Sequence, residues 1–485
     1  MGEGTFPENT LAFIEALNAT VSGFLWGPVG LALFLLAGLY FSLKTGFFQL
    51  RRAKLWLGST LLALFRDKAV VKSRDRHAIS QFQSLCTALA ATLGTGNIVG
   101  VATALVSGGP GAVFWMWISA FLGMMTIFAE NALGIKYRYR DESGAWVGGV
   151  MITIERGLGL KWLAALFAAF CVLASFGMGN MAQANSIAEG LEHAFGVPKA
   201  ASAVLVMALA GLTIFGGIRR IAGVAERFVP FMAIAYVLGG LAVIALNMGR
   251  LPSALMRILR EAFDFRAALG GAAGYGIARA MRFGVARGLF SNEAGIGSSV
   301  AVHAASDVEE PVVQGMWGIF EVFADTIVMC TITALAILCS GVYDMAAYAG
   351  PAADAVGLGG AALTSRAFST VLPGFGAPFI SISILLFAFS TILGWSFSGE
   401  RAAVYLFGKG AALPYKALFI AAIYLGCSSP LKLVWDLSDT FNGLMALPNL
   451  LSLGLLSGEV LQMTRDYLRR GGKKRLPRRK TAFFG

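Results

Sequence analysis

Three glycines, Gly94, Gly96 and Gly100, have nearly the spacing that cradles the pyrophosphate of a dinucleotide cofactor; they lie in ATLGTGNIVGVATAL, residues 91–105. A loop of that kind follows a β-strand, opens a helix, and has an acidic residue about 20 positions further on that binds the ribose. The residues before Gly94, SLCTALAAT, do not alternate as a strand does, and the first acidic residue after it is Glu130. The sequence therefore excludes a dinucleotide loop, and we predict no organic cofactor.

The composition indicates that this glycine cluster lies in a membrane. Hydrophobic residues make up 57% of the 485-residue chain and charged residues only 14%, whereas soluble domains carry about 25% charged residues. No Asp, Glu, Lys or Arg occurs from His77 to Ala129, and about 20 apolar residues suffice for one membrane-crossing helix. We therefore predict an all-α polytopic membrane protein.

A membrane helix offers two explanations for the cluster. Small residues such as Gly100 and Ala104 let neighbouring helices approach closely. However, Gly94, Thr95, Gly96 and Asn97 are four consecutive poor helix formers, which exceeds what packing requires. Unwound backbone at membrane depth is tolerated only where it is buried in protein or lines a cavity. We therefore predict a helix that is interrupted by unwound backbone at GTGN.

A second interrupted segment contains LFSNEAGIGSSVAVHAAS, with Asn292, Glu293, Gly295 and Gly297 where apolar residues are expected. It is the seventh of about eleven apolar segments, and GTGN lies in the second. The two segments are thus five segments apart. Because five is an odd number, two consecutive five-helix repeats would have opposite orientations in the membrane. Interrupted segments at matching places in such inverted repeats indicate a transporter binding site. The segments are 24–43, 79–107, 111–135, 161–187, 201–218, 227–247, 270–304, 314–340, 377–399, 415–430 and 438–464.

The predicted break suits a zwitterion and a cation. Backbone N–H groups near Thr95 and Gly96 would bind a carboxylate at the positive end of a helix. Freed carbonyl groups from Ala90 to Leu93, together with the Asn97 side chain, would supply the oxygen ligands that a hard cation prefers.

The distribution of basic residues predicts the orientation. Nine Lys or Arg residues lie in residues 44–76 and nine in the tail Arg465–Lys480, as expected of cytoplasmic segments that face anionic lipid head groups. The N-terminus is then outside and the C-terminus inside, although the basic loop 248–269 falls outside and the acidic loop 305–313 inside. The predicted units are an N-terminal segment with one extra helix, two five-helix repeats and a basic tail: 1–78, 79–247, 248–464 and 465–485.

Several other classes of protein do not fit. The net charge of +12 has no accompanying base-stacking motif, so no nucleic-acid partner is predicted. The five cysteines lie in apolar segments without C-x-x-C spacing, and the three histidines are scattered without an H-E-x-x-H motif, which argues against an enzyme. A channel would favour repeated pore rings, and a structural scaffold has no use for two broken helices. No obligatory protein partner is predicted.

Six motifs, in order along nearly the whole chain, resemble the alanine-or-glycine:cation symporter (AGCS) family. The resemblance implies a LeuT-like 5+5 inverted repeat preceded by one extra helix, in the cytoplasmic membrane of a bacterium or archaeon. It also implies import of alanine or glycine driven by a sodium gradient. The motifs are QFQSLCTALAATLGTGNIVGVATALVSGGPGAVFWMWISA, FGMGNMAQANS, RGLFSNEAGIGS, DTIVMCTITAL, STILGWSFSGERA and WDLSDTFNGLMALPNLLSL.

The resemblance also implies a set of site residues. For sodium it implies the carbonyl groups of two residues and the hydroxyl groups of two others: Ala90, Leu93, Ser390 and Thr391. For the substrate it implies residues from four segments: Gln83, Thr95, Gly96, Asn97, Phe170, Phe176, Asn292, Thr391, Ile392 and Trp395. The chain departs from the family pattern at four positions: Val150, Ile152, Ser299 and His303.

The sequence allows two interpretations for several of these residues. Trp395 fits a pocket wall, because its neighbours are small or polar, better than an interfacial anchor. Glu293 fits a functional carboxylate and a structural partner of Arg287 equally well. His303 fits helix packing better than a proton carrier. Proton coupling through Glu293 or His303 is the alternative to sodium.

Two further acidic residues lie within predicted membrane segments. Glu130, near a predicted cytoplasmic helix end, is expected to extend its side chain to the interface. The sequence gives no role for Asp325.

Overall fold

The computed structural model describes residues 8–73, 75–263, 273–343, 360–428 and 432–472, and these form a predominantly helical protein. One two-stranded antiparallel hairpin, β1 (Tyr139–Arg140) and β2 (Trp146–Val147), lies in a loop that the charge pattern places in the cytoplasm. The prediction of a helical architecture is confirmed for the described part of the chain, apart from this hairpin.

Among the described residues, fourteen α-helices precede residue 250. Two of them show a recognisable start signal: α2 has Pro28 at its first position, and α7 has a capping box in which Ser80 and Gln83 exchange side-chain and backbone hydrogen bonds. The helices are α1 (Glu8–Leu25), α2 (Pro28–Lys44), α3 (Phe48–Arg51), α4 (Ala53–Ser59), α5 (Ala63–Arg66), α6 (Lys68–Val71), α7 (Gln81–Thr92), α8 (Val99–Gly108), α9 (Gly111–Tyr137), α10 (Val150–Leu158), α11 (Lys161–Phe176), α12 (Ala182–Phe195), α13 (Lys199–Ile214) and α14 (Gly217–Leu246).

Ten further helices are described after residue 250. They are α15 (Leu251–Ala262), α16 (Ala273–Asn292), α17 (Val300–Ala304), α18 (Pro311–Val322), α19 (Thr331–Ser340), α20 (Gly360–Ser369), α21 (Gly376–Phe407), α22 (Ala412–Ser428), α23 (Lys432–Leu455) and α24 (Ser457–Arg469). Two π-helical turns join α11 to α12 and α18 to α19: Gly177–Met181 and Phe323–Cys330. Such turns often mark functional sites, because the wider turn frees backbone groups.

Among the described residues, seven helices are long and apolar enough to cross a membrane, or eight if the bent pair α23–α24 counts as one span. The other predicted segments coincide with shorter or interrupted helices. Segment 79–107 is divided between α7 and α8, segment 270–304 between α16 and α17, and segment 201–218 matches the 16-residue helix α13. The count of eleven spans and the 5+5 arrangement therefore remain predictions.

The interior is built by close helix contacts around α9 and α21. Helix α9 packs against α16 and α18, and α21 packs against α7, α11, α12 and α14. Glycines permit the closest approaches: a Cβ atom at Gly284 would lie 2.2 Å from the Ala112 carbonyl oxygen, and one at Gly394 would lie 2.8 Å from the Ala91 backbone nitrogen. The two broken helices are thereby held against α9 and α21.

Candidate functional site

The first broken helix is present where the sequence predicts it. Helix α7 ends at Thr92, a 3-10 turn spans Thr95–Asn97, and α8 begins at Val99. Side chains replace the lost helical hydrogen bonds: the Gly94 amide donates to Oδ1 of Asn97 at 3.1 Å, and the Thr95 amide donates to Oε1 of Gln183 at 3.5 Å. Gln183 was not predicted; the available signal was a polar side chain inside an apolar segment, in the motif FGMGNMAQANS.

Two hydroxyl groups of α21 face the last turn of α7. The Ser390 hydroxyl lies 3.3 Å from the Ala90 carbonyl oxygen, and the Thr391 hydroxyl lies 3.5 Å from the Leu93 carbonyl oxygen. Both hydroxyls are also within reach of the Phe387 carbonyl, at 2.8 Å from Ser390 and 3.1 Å from Thr391. A hydroxyl has one proton and two lone pairs, so each of these oxygens keeps acceptor capacity for a cation.

Asn97 is fixed by a buried carboxylate. Its Nδ2 donates to Oδ1 of Asp325 at 2.7 Å and also lies 3.0 Å from Oγ of Ser291. Oδ2 of Asp325 accepts from the hydroxyls of Ser291 at 2.8 Å and Thr326 at 2.6 Å. Asp325 therefore contacts the first break, although no role for it was predicted from the sequence. The available signal was an acidic residue inside an apolar segment.

The second break lies between the end of α16 at Asn292 and the start of α17 at Val300. Glu293, Gly295 and Gly297 have φ values of 54°, 94° and 84°, which only glycine adopts readily. Nδ2 of Asn292 donates to Oγ1 of Thr326 at 3.0 Å, directly beside Asp325. The two breaks are thus joined through neighbouring residues of the π-helical turn Phe323–Cys330.

Carbonyl groups of the second break are satisfied by side chains from distant helices. Nδ2 of Asn449 donates to the Gly295 carbonyl at 2.9 Å and to Oε1 of Glu130 at 2.5 Å. The Ser398 hydroxyl donates to the Ser298 carbonyl at 2.8 Å. Glu130 is only 2% exposed, so the expectation that it extends to the interface is wrong. A partner amide inside the bundle makes burial of this side chain possible.

Glu293 has partners other than Arg287. Its Oε1 accepts from Nε1 of Trp395 at 3.0 Å, and its Oε2 accepts from the Ser298 hydroxyl. The Arg287 guanidinium instead lies over the Phe290 ring, 5.5 Å from its centroid. Trp395 is completely buried, which contradicts a position in the lipid interface.

His303 lies in a buried polar network on α17. Its Nε2 is 2.9 Å from Oε2 of Glu321, and its Nδ1 is 2.5 Å from Nε2 of Gln314 and 3.4 Å from Oγ of Ser84. All four side chains are buried. The network connects α7, α17 and α18. His303, which departs from the family pattern, therefore has polar partners within the bundle.

Gln83 lies away from the first break, at the start of α7. Its Oε1 accepts from the Ser80 amide at 3.0 Å, and its side chain lines a cavity of about 560 Å³ together with Asp75 and Arg219. Partial burial raises the pKa of the Asp75 carboxyl, but hydrogen bonds from the Arg140 guanidinium and the His77 amide outweigh this and leave the pKa below its usual value. The cavity therefore carries charges of both signs.

The three remaining apolar residues pack in two clusters. Phe170 is half-buried beside the cluster that contains Trp395. Phe176 packs its ring against Tyr415, with centroids 5.4 Å apart, in the cluster that also contains the fully buried Ile392. The structure thus places Phe170 with the cluster of Trp395, and Phe176 with the cluster of Ile392.

Comparisons with known proteins agree with this architecture. The family model described as the sodium:alanine symporter family matches residues 11–481. An uncharacterized transporter of Haemophilus influenzae is 44% identical over 94% of this chain and 97% of its own length. The sodium/alanine symporter AgcS of Methanococcus maripaludis is 42% identical over 94% of this chain and 97% of its own length.

A solved structure shares the fold at low sequence identity. The crystal structure of MhsT in complex with L-phenylalanine has a TM-score of 0.56 and 14% identity, covering 81% of this chain and 93% of that one. The family match and the two relatives extend over nearly the whole chain. The chain therefore belongs to the sodium:alanine symporter family, a family of multi-span membrane transporters and not of enzymes.

Proposed function

We propose that the protein is a secondary active transporter that imports alanine, glycine or both by symport with sodium. The observation that carries the proposal is the pairing of two hydroxyls with two carbonyls, Ser390 with Ala90 and Thr391 with Leu93. Four uncharged oxygens at the junction of α7 and α21 suit a hard monovalent cation. The name of the Methanococcus maripaludis relative, a sodium/alanine symporter, supports the same coupling ion and substrate.

The amino-acid substrate would bind at the first break. Amide groups near Thr95 and Gly96 would hold its carboxylate, with Asn97 oriented by Asp325. Trp395 and Asn292, from α21 and the end of α16, would complete the site, and Trp395 would restrict the side chain to a small size. Because the substrate and sodium share α7 and α21, sodium binding would rigidify the site that the substrate needs.

The proposed transport cycle is alternating access. One five-helix repeat or part of it would rock against the rest, within an arrangement of eleven spans whose first helix precedes the repeats. The similarity to MhsT, which covers 81% of this chain and 93% of that one, supports the shared fold on which this cycle rests. The proposed orientation has the N-terminus outside and the C-terminus in the cytoplasm, in agreement with the basic tail.

The decisive experiment is uptake of labelled alanine into proteoliposomes that contain the purified protein. An inward sodium gradient is compared with an equal choline gradient at clamped pH. We expect accumulation only with sodium, and we expect Thr391→Ala to raise the half-activating sodium concentration at least about tenfold, the scale of one lost interaction with a charged group.

A matched control for Thr391→Ala is Thr364→Ala. The buried hydroxyl of Thr364 also lies 3.3 Å from a carbonyl oxygen of the broken helix, that of Ile98, but Thr364 is on α20 and not on the helix that carries Ser390 and Thr391. This control is expected to leave sodium activation within about threefold of wild type. Equal uptake in the sodium and choline gradients would overturn the proposal.

Proton coupling on the same fold is the second candidate. The observation that favours it is the fully buried pair of His303 and Glu321, 2.9 Å apart. If uptake follows a pH gradient without sodium, His303→Asn and Glu293→Gln become the tests. Loss of pH-driven accumulation in either variant, with exchange of internal for external alanine retained, would identify the carrier.

A further inference from the structure

Glu293 has an unusual backbone conformation at the centre of the second break. Its φ of 54° lies in the left-handed region, which among the described non-glycine residues is shared only by Phe47. Glutamate is not a residue that adopts this region readily, so the surroundings must hold it there. Its amide donates to the Leu289 carbonyl at 2.9 Å, which places the carboxylate directly after the last turn of α16.

This carboxylate reaches a helix that lies 102 residues further along the chain. Oε1 accepts the indole N–H of Trp395 at 3.0 Å, while Oε2 is occupied by the Ser298 hydroxyl of the same break. Both Glu293 and Trp395 are buried, so water does not replace either contact. The indole N–H is the only polar group of a tryptophan side chain, and this bond therefore fixes the direction of the ring.

The other side of the ring is bounded by backbone. A Cβ atom at Gly179 would lie 2.5 Å from Cβ and Cγ of Trp395, so the π-helical turn Gly177–Met181 approaches the ring as closely as glycine permits. Trp395 also stands one helical turn after Thr391 on α21, on the same face. A rotation of the indole would therefore change the space beside the proposed substrate site.

We propose that Glu293 is a positioning residue that holds the Trp395 indole and thereby sets the largest side chain that the transporter accepts. This inference rests on the proposed function, because it assigns Trp395 to the wall of the amino-acid site. In this role Glu293 acts as a hydrogen-bond acceptor, and its negative charge is not required. Glutamine offers the same acceptor oxygen, and the Ser298 hydroxyl can turn to accept from the glutamine NH2 group.

The test compares three variants in competition assays with the full-length protein in proteoliposomes. Inhibition of sodium-driven alanine uptake is measured with 2-aminobutyrate and with leucine, and each inhibition constant is divided by that of unlabelled alanine. Glu293→Gln is expected to keep these ratios within about twofold of wild type. Glu293→Ala and Trp395→Phe are expected to lower them at least about tenfold, the range over which pockets discriminate one methylene group.

A matched control comes from a second buried indole. Nε1 of Trp317 donates to Oε1 of Gln81 at 3.0 Å, so Trp317→Phe removes an equivalent bond away from Trp395. We expect this variant to keep the wild-type ratios. The half-activating sodium concentration is measured for every variant, because a general loss of structure would change it together with the ratios.

The outcomes separate this inference from the proposed function. Unchanged ratios in Glu293→Ala or Trp395→Phe would overturn the positioning role, and so would a Glu293→Gln variant as unselective as Glu293→Ala. If Glu293→Ala does not fold, the contrast between Trp395→Phe and Glu293→Gln decides the question. A wild-type protein that takes up no alanine with sodium would contradict the proposed function itself.

Discussion

At the scale of single residues, Asp325 explains how Asn97 keeps one orientation inside the membrane. The carboxylate accepts from Asn97, Ser291 and Thr326, which come from three elements. A hydrogen bond contributes about 0.5–1.5 kcal/mol, and more where one partner is charged. Asp325 therefore links the first break, the end of α16 and the π-helical turn more strongly than packing alone.

Replacing this carboxylate tests its role at the site. Asp325→Asn turns one acceptor oxygen into a donor that faces the donors of Asn97, Ser291 and Thr326, so we expect the affinity for alanine to fall about tenfold or more. The measurement is the KM of sodium-driven uptake, with protein insertion verified. Cys330→Ala is the control, because the Cys330 sulfur lies 3.4 Å from the same Asn97 amide but is a weak acceptor, and a change within about threefold is expected. A similar loss in both variants would contradict a special role for the carboxylate.

At the scale of the element, the first break depends on the absence of a side chain at Gly94. Its φ of −125° is accessible to any residue, so backbone strain is not the reason for glycine. A Cβ atom at Gly94 would instead lie 2.7 Å from Oγ1 of Thr391 and 3.5 Å from Oε1 of Gln183. Glycine at this position therefore keeps a hydroxyl of α21 close to the broken helix.

We expect Gly94→Ala to abolish sodium-driven alanine uptake or to reduce it at least about tenfold, because the new methyl group displaces the Thr391 hydroxyl. The same broken helix offers a control. A Cβ atom at Gly100 would meet no atom within 4 Å, so Gly100→Ala is expected to transport like wild type. Uptake rates for both variants are compared at equal amounts of reconstituted protein. Equal activity of Gly94→Ala and wild type would show that the close approach is not needed.

At the scale of the whole molecule, the charge pattern predicts which loops face outside. The five native cysteines are buried, so a single introduced cysteine can be labelled with little background. Ser253→Cys on α15 and Ser143→Cys in the loop after β1 are both exposed positions on predicted opposite sides. We expect an impermeant thiol reagent added to intact cells to label Ser253→Cys, and to label Ser143→Cys only after permeabilisation.

The topology test is sharpest for the loop that contains Ser253. Residues 248–269 are basic yet are placed outside by the majority of loops, so charge alone gives conflicting indications there. Labelling of Ser143→Cys in intact cells and protection of Ser253→Cys would reverse the proposed orientation. The predicted number of membrane spans between the two positions is odd, which puts them on opposite sides. Labelling of both positions in intact cells would contradict that number.

The sequence by itself determined the properties that depend on local composition. Hydropathy located the helices, because a membrane segment must be predominantly apolar, and the clusters GTGN and SNEAGIGS located both breaks. The six motifs indicated the family, which the comparisons confirmed. Each of these features is read from continuous stretches of sequence, so no knowledge of packing was needed.

Only the tertiary structure decided which polar groups become partners. Asn97 meets Asp325 across 228 positions, and Glu293 meets Trp395 across 102, whereas the local candidate Arg287 lies over Phe290. The buried Glu130 accepts a hydrogen bond from the side-chain amide of Asn449, 319 positions away. A buried polar group must find a hydrogen-bond partner, but the requirement does not specify which one. That choice follows from how the helices pack, and helix packing is a property of the whole bundle and not of any single segment.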